Sequence, residues 1–228
     1  MAARAVCINL DTSPKRWREF REQLTPPVLA SLGPVERVSA YSPETLPVPM
    51  PERFGLTSAS WACYQSHLRE IERAIEDRVD ELVIFEDDAV FDRRFVAEYP
   101  QFRAAVPAGW DVLYFGGRHK RKPYEIAAGY VQCRDVVLQH AWALSGSGLP
   151  KVRDHLRDLD GLMALEGRKR NKDQWCGEGI ALRKFAAYAP RAHWLVHQRC
   201  GRSDRNGALH PARYGVCRTK QAVEWPPV

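Results

Sequence analysis

A short apolar run, Leu82-Val83-Ile84-Phe85, stops abruptly at three acids, Glu86-Asp87-Asp88. Its length and composition suit a central strand buried on both faces. Three consecutive carboxylates repel one another, and neither a helix nor a surface strand gains from them. At the carboxyl end of a buried strand they face the crevice where open α/β sheets bind ligands. Oxygen ligands there suit magnesium or manganese, usually shared with substrate phosphates. Such an ion can neutralise a leaving diphosphate. On these residues alone, a solvated acidic turn or a helix cap is an equal reading.

The rest of the chain alternates between two periodicities. Ala5 to Leu10 reads as a buried first strand. Thr12-Ser13-Pro14 predicts a helix start, with a hydroxyl cap and proline in the first turn; Trp17, Phe20 and Leu24 continue one apolar face. Val35 to Ala40 predicts a second strand, and the four prolines between Ser42 and Pro51 an irregular loop. Ser58 or Ser60 opens a helix with Leu68, Ile71, Ile75 and Val79 on one face. Another helix is expected from Phe95 to Val106, kinked or broken at Pro100. Asp111 to Phe115 and Val136 to Leu144 read as strands. Leu149, Val152, Leu156 and Leu159 mark a helix, Ile180 to Tyr188 another, and Ala192 to Val196 an extended segment. The alternation predicts an α/β sandwich with a mainly parallel central sheet. No repeat or low-complexity linker divides the 228 residues. One domain over 1–228 is expected, with an irregular tail from about residue 200.

Composition narrows the class. With 45% hydrophobic and 27% charged residues, long disorder, a collagen-like fold and a coiled coil are excluded. No apolar run nears the roughly 20 residues that span a bilayer, and no basic-then-apolar leader opens the chain. A cytoplasmic protein is expected, with peripheral membrane contact at most. The six cysteines contain no C-x-x-C pair, so packed free thiols are expected. The net charge of +6 is local: residues 118–122 and 168–172 together hold more cations than the whole excess. Arg118, Lys120, Arg121, Lys122, Arg168, Lys169, Arg170 and Lys172 are thus candidates for contacts with an acceptor or with phosphates. Solvated loops are the alternative.

Several segments form an ordered set: Ile8-Asn9-Leu10-Asp11 with Arg16; Arg37 to Ala40; Cys63-Tyr64-Gln65-Ser66-His67-Leu68; Val83 to Ala89; Trp110 to Leu113; His140 to Ser145; Asp173; and Pro190 to Gln198 with Ser203. In these the chain resembles the family 25 glycosyltransferases, which act in lipopolysaccharide biosynthesis and, in animals, on collagen hydroxylysine. The C-x-x-S-H-L block, followed about twenty residues later by the acidic strand end, is the most specific part. The resemblance implies a GT-A-like (Rossmann-like) α/β/α sandwich that binds a UDP-sugar with manganese or magnesium and transfers the sugar with inversion. Glu86-Asp87-Asp88 would be its D-x-D-type element, with Asp88 on the metal and Glu86 on the metal or the ribose and sugar side. Asn9, Leu10, Arg16, Ala40, Ser66, His67, Asp87 and Gln198 would lie near the nucleotide sugar, and His197 would be a further metal ligand. Inversion needs a base for the acceptor hydroxyl; Asp173 is the first candidate and Asp111 the second. Trp142, Trp175 and Trp194 fall near these segments and could offer a face for sugar.

The acceptor stays open at this level. A lipopolysaccharide or other surface glycan is what the resemblance implies. A hydroxymethylated base in DNA is an alternative, because the basic runs could track phosphates. A non-catalytic module on the same fold is another, since Ser58 to Ala62 replaces the family's usual Gly-Glu-Ile-Gly before the cysteine. A metal-dependent nuclease or phosphatase lacks the second cluster of ligands a two-metal site needs.

Overall fold

The computed structural model describes residues 3–127, 129–165, 171–199, 201–202 and 209–210. Ala3–Asn9 forms β1. Pro14–Arg21 forms α1, with proline in its first turn; Ser13 precedes it without a side-chain cap. Pro26–Leu32 is a helix, α2, that the sequence pattern does not predict. Its two prolines occupy the first turn, where the missing N–H groups have no intrahelical partner to lose. Val35–Ser39 is β2, and the proline-rich stretch after it is irregular except for a single 3-10 turn at Glu52–Phe54. Ser58–Glu76 is α3, capped by Thr57, whose hydroxyl accepts from the Ser60 N–H, rather than by Ser58 or Ser60.

Glu81–Glu86 is β3, Ala89–Phe91 is β4, and Phe95–Ala105 is α4, which runs through Pro100 unbroken. Next come β5 (Val112–Tyr114), β6 (Arg118–His119), β7 (Tyr124–Ala127) and β8 (Tyr130–Gln132). The expected strand from 136 to 144 is two pieces, β9 (Val136–Val137) and β10 (Ala141–Ser145). Leu138 breaks it with a left-handed φ of 66°. Gly148–Arg157, Leu159–Ala164 and Lys172–Ala181 are α5, α6 and α7. The expected helix from Ile180 to Tyr188 is replaced by the end of α7, a turn, and β11 (Ala187–Pro190). Val196–Gln198 is β12. A short ladder of Gly201–Arg202 with Leu209–His210 follows.

Eight strands form one sheet in the order β2-β1-β3-β10-β5-β11-β8-β7. β2, β1, β3, β5 and β11 point one way, and β10 runs antiparallel between β3 and β5. The sheet is thus mixed with a mostly parallel core, as the alternation of elements predicts. Alternation along each strand gives two packed faces. Val6, Ile84 and Trp142 face α3, α5 and α7 through Tyr64, Ile71, Val152 and Cys176. Cys7, Val83 and Phe85 face α1, α2 and α4 through Phe20, Val28 and Phe95. Both faces of β3 are therefore covered, and its carboxyl end is open to a cleft.

Candidate active site

β1, β2 and β3 end at the same edge of the sheet, and the chain leaving each of them walls a cleft of about 520 Å³. Leu10, Thr12 and Arg16 line it after β1, Ala40 and Tyr41 after β2, and Glu86, Asp87 and Asp88 after β3. His67 and Cys63 reach it from α3. β12 pairs with β4 so that Gln198 stands opposite Ala89. That register brings the Gln198 amide onto Asp88 Oδ2, 3.0 Å away.

The two aspartates are held differently. Asp87 accepts from Asn9 Nδ2 at 2.6 Å and pairs with Arg16 at 2.6 Å. Even so, burial outweighs both partners and raises its pKa to about 7. Asp88 keeps Gln198 on one oxygen, with Arg16 at 3.5 Å, while its Oδ1 is buried with no hydrogen-bond partner. Burial first, and the neighbouring Glu86 charge second, raise its pKa as well. A pair of carboxylates so reluctant to ionise is an environment that asks for more positive charge.

Glu86 is turned the other way. Its Oε1 lies 3.1 Å from Lys172 Nζ and 3.1 Å from His67 Nε2. Lys172 Nζ is itself 2.8 Å from His67 Nε2, so the ammonium donates to both. Burial and the Lys172 charge lower His67 to about 4, leaving a neutral imidazole. Burial alone would deprotonate Lys172, but Glu86 and Asp173 more than offset it and hold its pKa above the ordinary value. The ring of Trp142 lies 5.6 Å from the same ammonium.

The cluster bears on metal binding. Cys63, His67 and Glu86 bring one ligand atom each within 4.8 Å of one another. Lys172 already bonds two of the three, which makes this an ammonium site. The free cationic demand lies at Asp88 Oδ1, a buried, unpartnered carboxylate oxygen of the kind a hard divalent ion takes. The acidic strand end therefore offers one oxygen donor of that kind, Asp88 Oδ1, while Glu86 is already engaged by lysine.

Of the anticipated site residues, Leu10, Arg16, Ala40, His67, Glu86, Asp87, Asp88 and Gln198 line this cleft. Asn9 sits behind Asp87, and its Oδ1 accepts from Arg37 Nε at 2.8 Å. Ser66 acts at one remove: it is buried, and its Oγ accepts from the N–H of Tyr41 at 2.8 Å. Asp173 is buried beside Lys172 at 3.6 Å and accepts from the Leu138 N–H at 3.2 Å.

Four expectations are corrected. His197 does not line this cleft: strand alternation turns it away from Gln198, and it pairs with Asp92 at 2.9 Å. Asp111 leads into β5 at the opposite edge of the sheet, where Lys151 pairs with it at 2.7 Å and the Ala186 N–H donates to it at 2.8 Å. It is an anchor and no base for this cleft. Lys172 is 1% exposed and belongs to the Glu86 cluster, so it is no surface contact for phosphates. Trp142 and Trp175 are core side chains, stacked on Tyr114 and His155 respectively. Arg118 to Lys122 lie on β6 and the loop after it, outside this cleft. Arg168, Lys169 and Arg170 lie outside the described residues.

Two further residues belong to the surroundings of the site. Tyr41 stands under the Arg69 guanidinium, 4.5 Å from its ring centre. His140 is buried, bonded to the Val196 carbonyl at 3.3 Å, with its pKa lowered by burial against the pull of Asp88. The His140 ring and the Val196 carbonyl close so tightly on Gly116, after β5, that a Cβ there would collide with both. Tyr41 has no local sequence signal for its role, while His140 opens one of the segments that carry the resemblance.

A family model described as glycosyltransferase family 25 (LPS biosynthesis protein) matches residues 5–122. No curated protein matches. Among solved structures, the mannose-1-phosphate geranyltransferase from Thermus thermophilus is similar over 83% of this chain and 74% of its own, with 11% identity and a TM-score of 0.46. A197 from STIV is similar over 100% of this chain and 99% of its own, with 12% identity and a TM-score of 0.42. A glycosyltransferase involved in the glycosylation of the major capsid of PBCV-1 is similar over 74% of this chain and 68% of its own, with 8% identity and a TM-score of 0.38.

Proposed function

The chain belongs to glycosyltransferase family 25, and on that footing we propose that it moves a sugar from a UDP-sugar to an acceptor hydroxyl on a lipopolysaccharide or other surface glycan. The observation that carries this reading is the buried, unpartnered Oδ1 of Asp88 in a cleft that also holds Arg16. Asp88 would hold the divalent cation, which supplies charge neutralisation of the departing diphosphate. Gln198 fixes the Asp88 carboxylate by occupying its other oxygen. Asn9 and Arg16 hold Asp87 in the same way, and the Arg16 guanidinium adds a fixed positive charge next to the acids. Lys172 donates to both His67 and Glu86 and so holds the Glu86 carboxylate at the cleft, where it would serve the ribose and sugar side of the donor. Asp173 shares Lys172 with Glu86 and is our candidate for the base that takes the proton of the acceptor hydroxyl.

A thermal-shift screen of UDP-, GDP-, ADP- and CMP-sugars, each with and without manganese, tests the reading. A ligand at about 100 times its dissociation constant adds roughly 2.7 kcal/mol. The expected result is a shift for a UDP-sugar that needs manganese and vanishes in Asp88→Asn. A flat screen would leave the non-catalytic module as the better description.

A further inference from the structure

A second cleft lies at the other end of the molecule. It has a volume of about 500 Å³ and is lined by Arg121, Arg134 and Arg183, with Tyr124, Ile180 and Phe185 among its walls. Ala187, which also lines it, starts β11, so this cleft opens at the amino-terminal edge of the parallel strands. The acids of the first cleft stand at the carboxyl edge. α7 joins the two: from Lys172 to Ile180 is about 12 Å along a helix axis.

Its arginines differ from most others described. Arg4, Arg16, Arg37, Arg94, Arg103 and Arg157 each pair with a carboxylate. Among the described residues, Arg121, Arg134 and Arg183 pair with none. The Arg134 guanidinium lies over the Tyr124 ring, 4.7 Å from its centre. Glu125, the carboxylate next to Tyr124, is taken by Arg191 at 2.7 Å. Arginines at the end of a helix can also serve its carboxyl-terminal dipole. Here the backbone already caps α7: the N–H groups of Leu182, Arg183 and Lys184 donate to Glu178, Ile180 and Gly179 at 2.8, 3.0 and 2.9 Å. Arg183 holds the left-handed position of that turn, with φ at 57°, where glycine is the easier residue.

We propose that this cleft is a second binding site, for a phosphate ester carried on a saccharide. Three guanidiniums without a carboxylate exceed the charge of one carboxylate ligand and match a phosphate dianion, whose oxygens they take in pairs. The volume is that of a small-molecule site, and the exposed ring of Tyr124 offers an apolar face to a carbon skeleton. The site is independent of the donor cleft and of the transfer reaction proposed above.

The test is titration of the full chain, in chelator and without divalent metal, with fructose 1,6-bisphosphate as the soluble probe. Phosphatidylcholine vesicles with and without phosphatidic acid serve as the lipid probe. The variants are Arg134→Gln, Arg121→Gln and Arg183→Asn, the last because asparagine tolerates a left-handed backbone. Binding of the soluble probe should weaken about tenfold for each guanidinium removed, the scale of a lost charge-assisted hydrogen bond. The manganese-dependent donor shift should stay unchanged in all three. Vesicle binding with the same arginine dependence would support the site and make its phosphate a lipid headgroup. Equal binding by the variants and the parent would overturn it. So would loss of binding in Asp88→Asn alone, which would move the ligand to the donor cleft. Tighter binding of duplex DNA than of either probe, with a salt slope near about −0.9 per phosphate, would also overturn it and put nucleic acid in place of the saccharide.

Discussion

Asp87 carries an energetic burden for its site. An unfolded aspartate releases its proton near about pH 3.9; in the fold, burial delays this to about 7. The unfolded chain therefore binds fewer protons across that window, and Asp87 subtracts stability as the pH rises through it. Buried His67, His119 and His155, each lowered to about 4 by burial, work in the opposite sense. Their contribution is complete above about pH 6.5 and is lost as the pH falls toward about 4. Comparing Asp87→Asn with the parent isolates the aspartate. Urea midpoints should find the variant more stable by about 2 kcal/mol above about pH 7, with the gap closing by about pH 4. Lys172 is the converse case, a charge the fold needs. Lys172→Met strands Glu86 and Asp173 without their shared cation and should cost about 3 kcal/mol in the same assay. Neither residue announces this in sequence. Three acids in a row are visible, but which one is paired depends on Asn9, Arg16 and Gln198, all distant in the chain. Lys172 sits in a basic run and reads as solvated, while its burial is decided by His67 and Glu86.

Elements are legible where one force dominates. The run from Val83 to Phe85 has no alternative to a buried strand, and the acids that follow it lie where such a strand ends. The segment from Ile180 to Tyr188 reads as a helix because alanine, leucine and lysine favour one in isolation. Pairing of Ala187 with Val112 and of Tyr188 with Leu113 overrides that preference. α2 hides behind its adjacent prolines, which read as a break although they suit a first turn. Asp111 is an element-scale residue too: it ties the start of β5 to α5 through Lys151 and to the approach of β11 through the Ala186 N–H. The backbone crosses very close there, since a Cβ on Gly148 would collide with the Asp111 carbonyl. Asp111→Ala should therefore lower the melting temperature by several degrees, on the order of 2 kcal/mol for losing the hydrogen bonds of a buried carboxylate. Its donor-induced thermal shift should match that of the parent; a lost shift would restore Asp111 to the chemistry.

For the whole molecule, the arrangement of strands matters more than any one contact. β2-β1-β3 comes from the first part of the chain and β10-β5-β11-β8-β7 from the rest, but β10 pairs with β3 along its length and each packed face mixes side chains of both parts, Val6 and Tyr64 with Val152 and Cys176 on one, Cys7 and Phe20 with Phe115 and Leu195 on the other. Unfolding should be one cooperative transition, coincident by near- and far-ultraviolet circular dichroism. Two resolved transitions would mean separate domains. The same arrangement bears on how the molecule is made. The backbone N–H of Glu86 is bonded to the carbonyl of His140, and the edge of β3 is covered by residues 141–145. A ribosome adding about 5–20 residues per second exposes the acidic strand end roughly 3–12 seconds before the strand that covers it. During that interval the nascent chain presents a bare, apolar strand edge, the kind of surface that recruits other strands. Synthesis speed over that stretch, and whatever shields the chain as it emerges, therefore govern the yield of enzyme as directly as the stability of the finished fold.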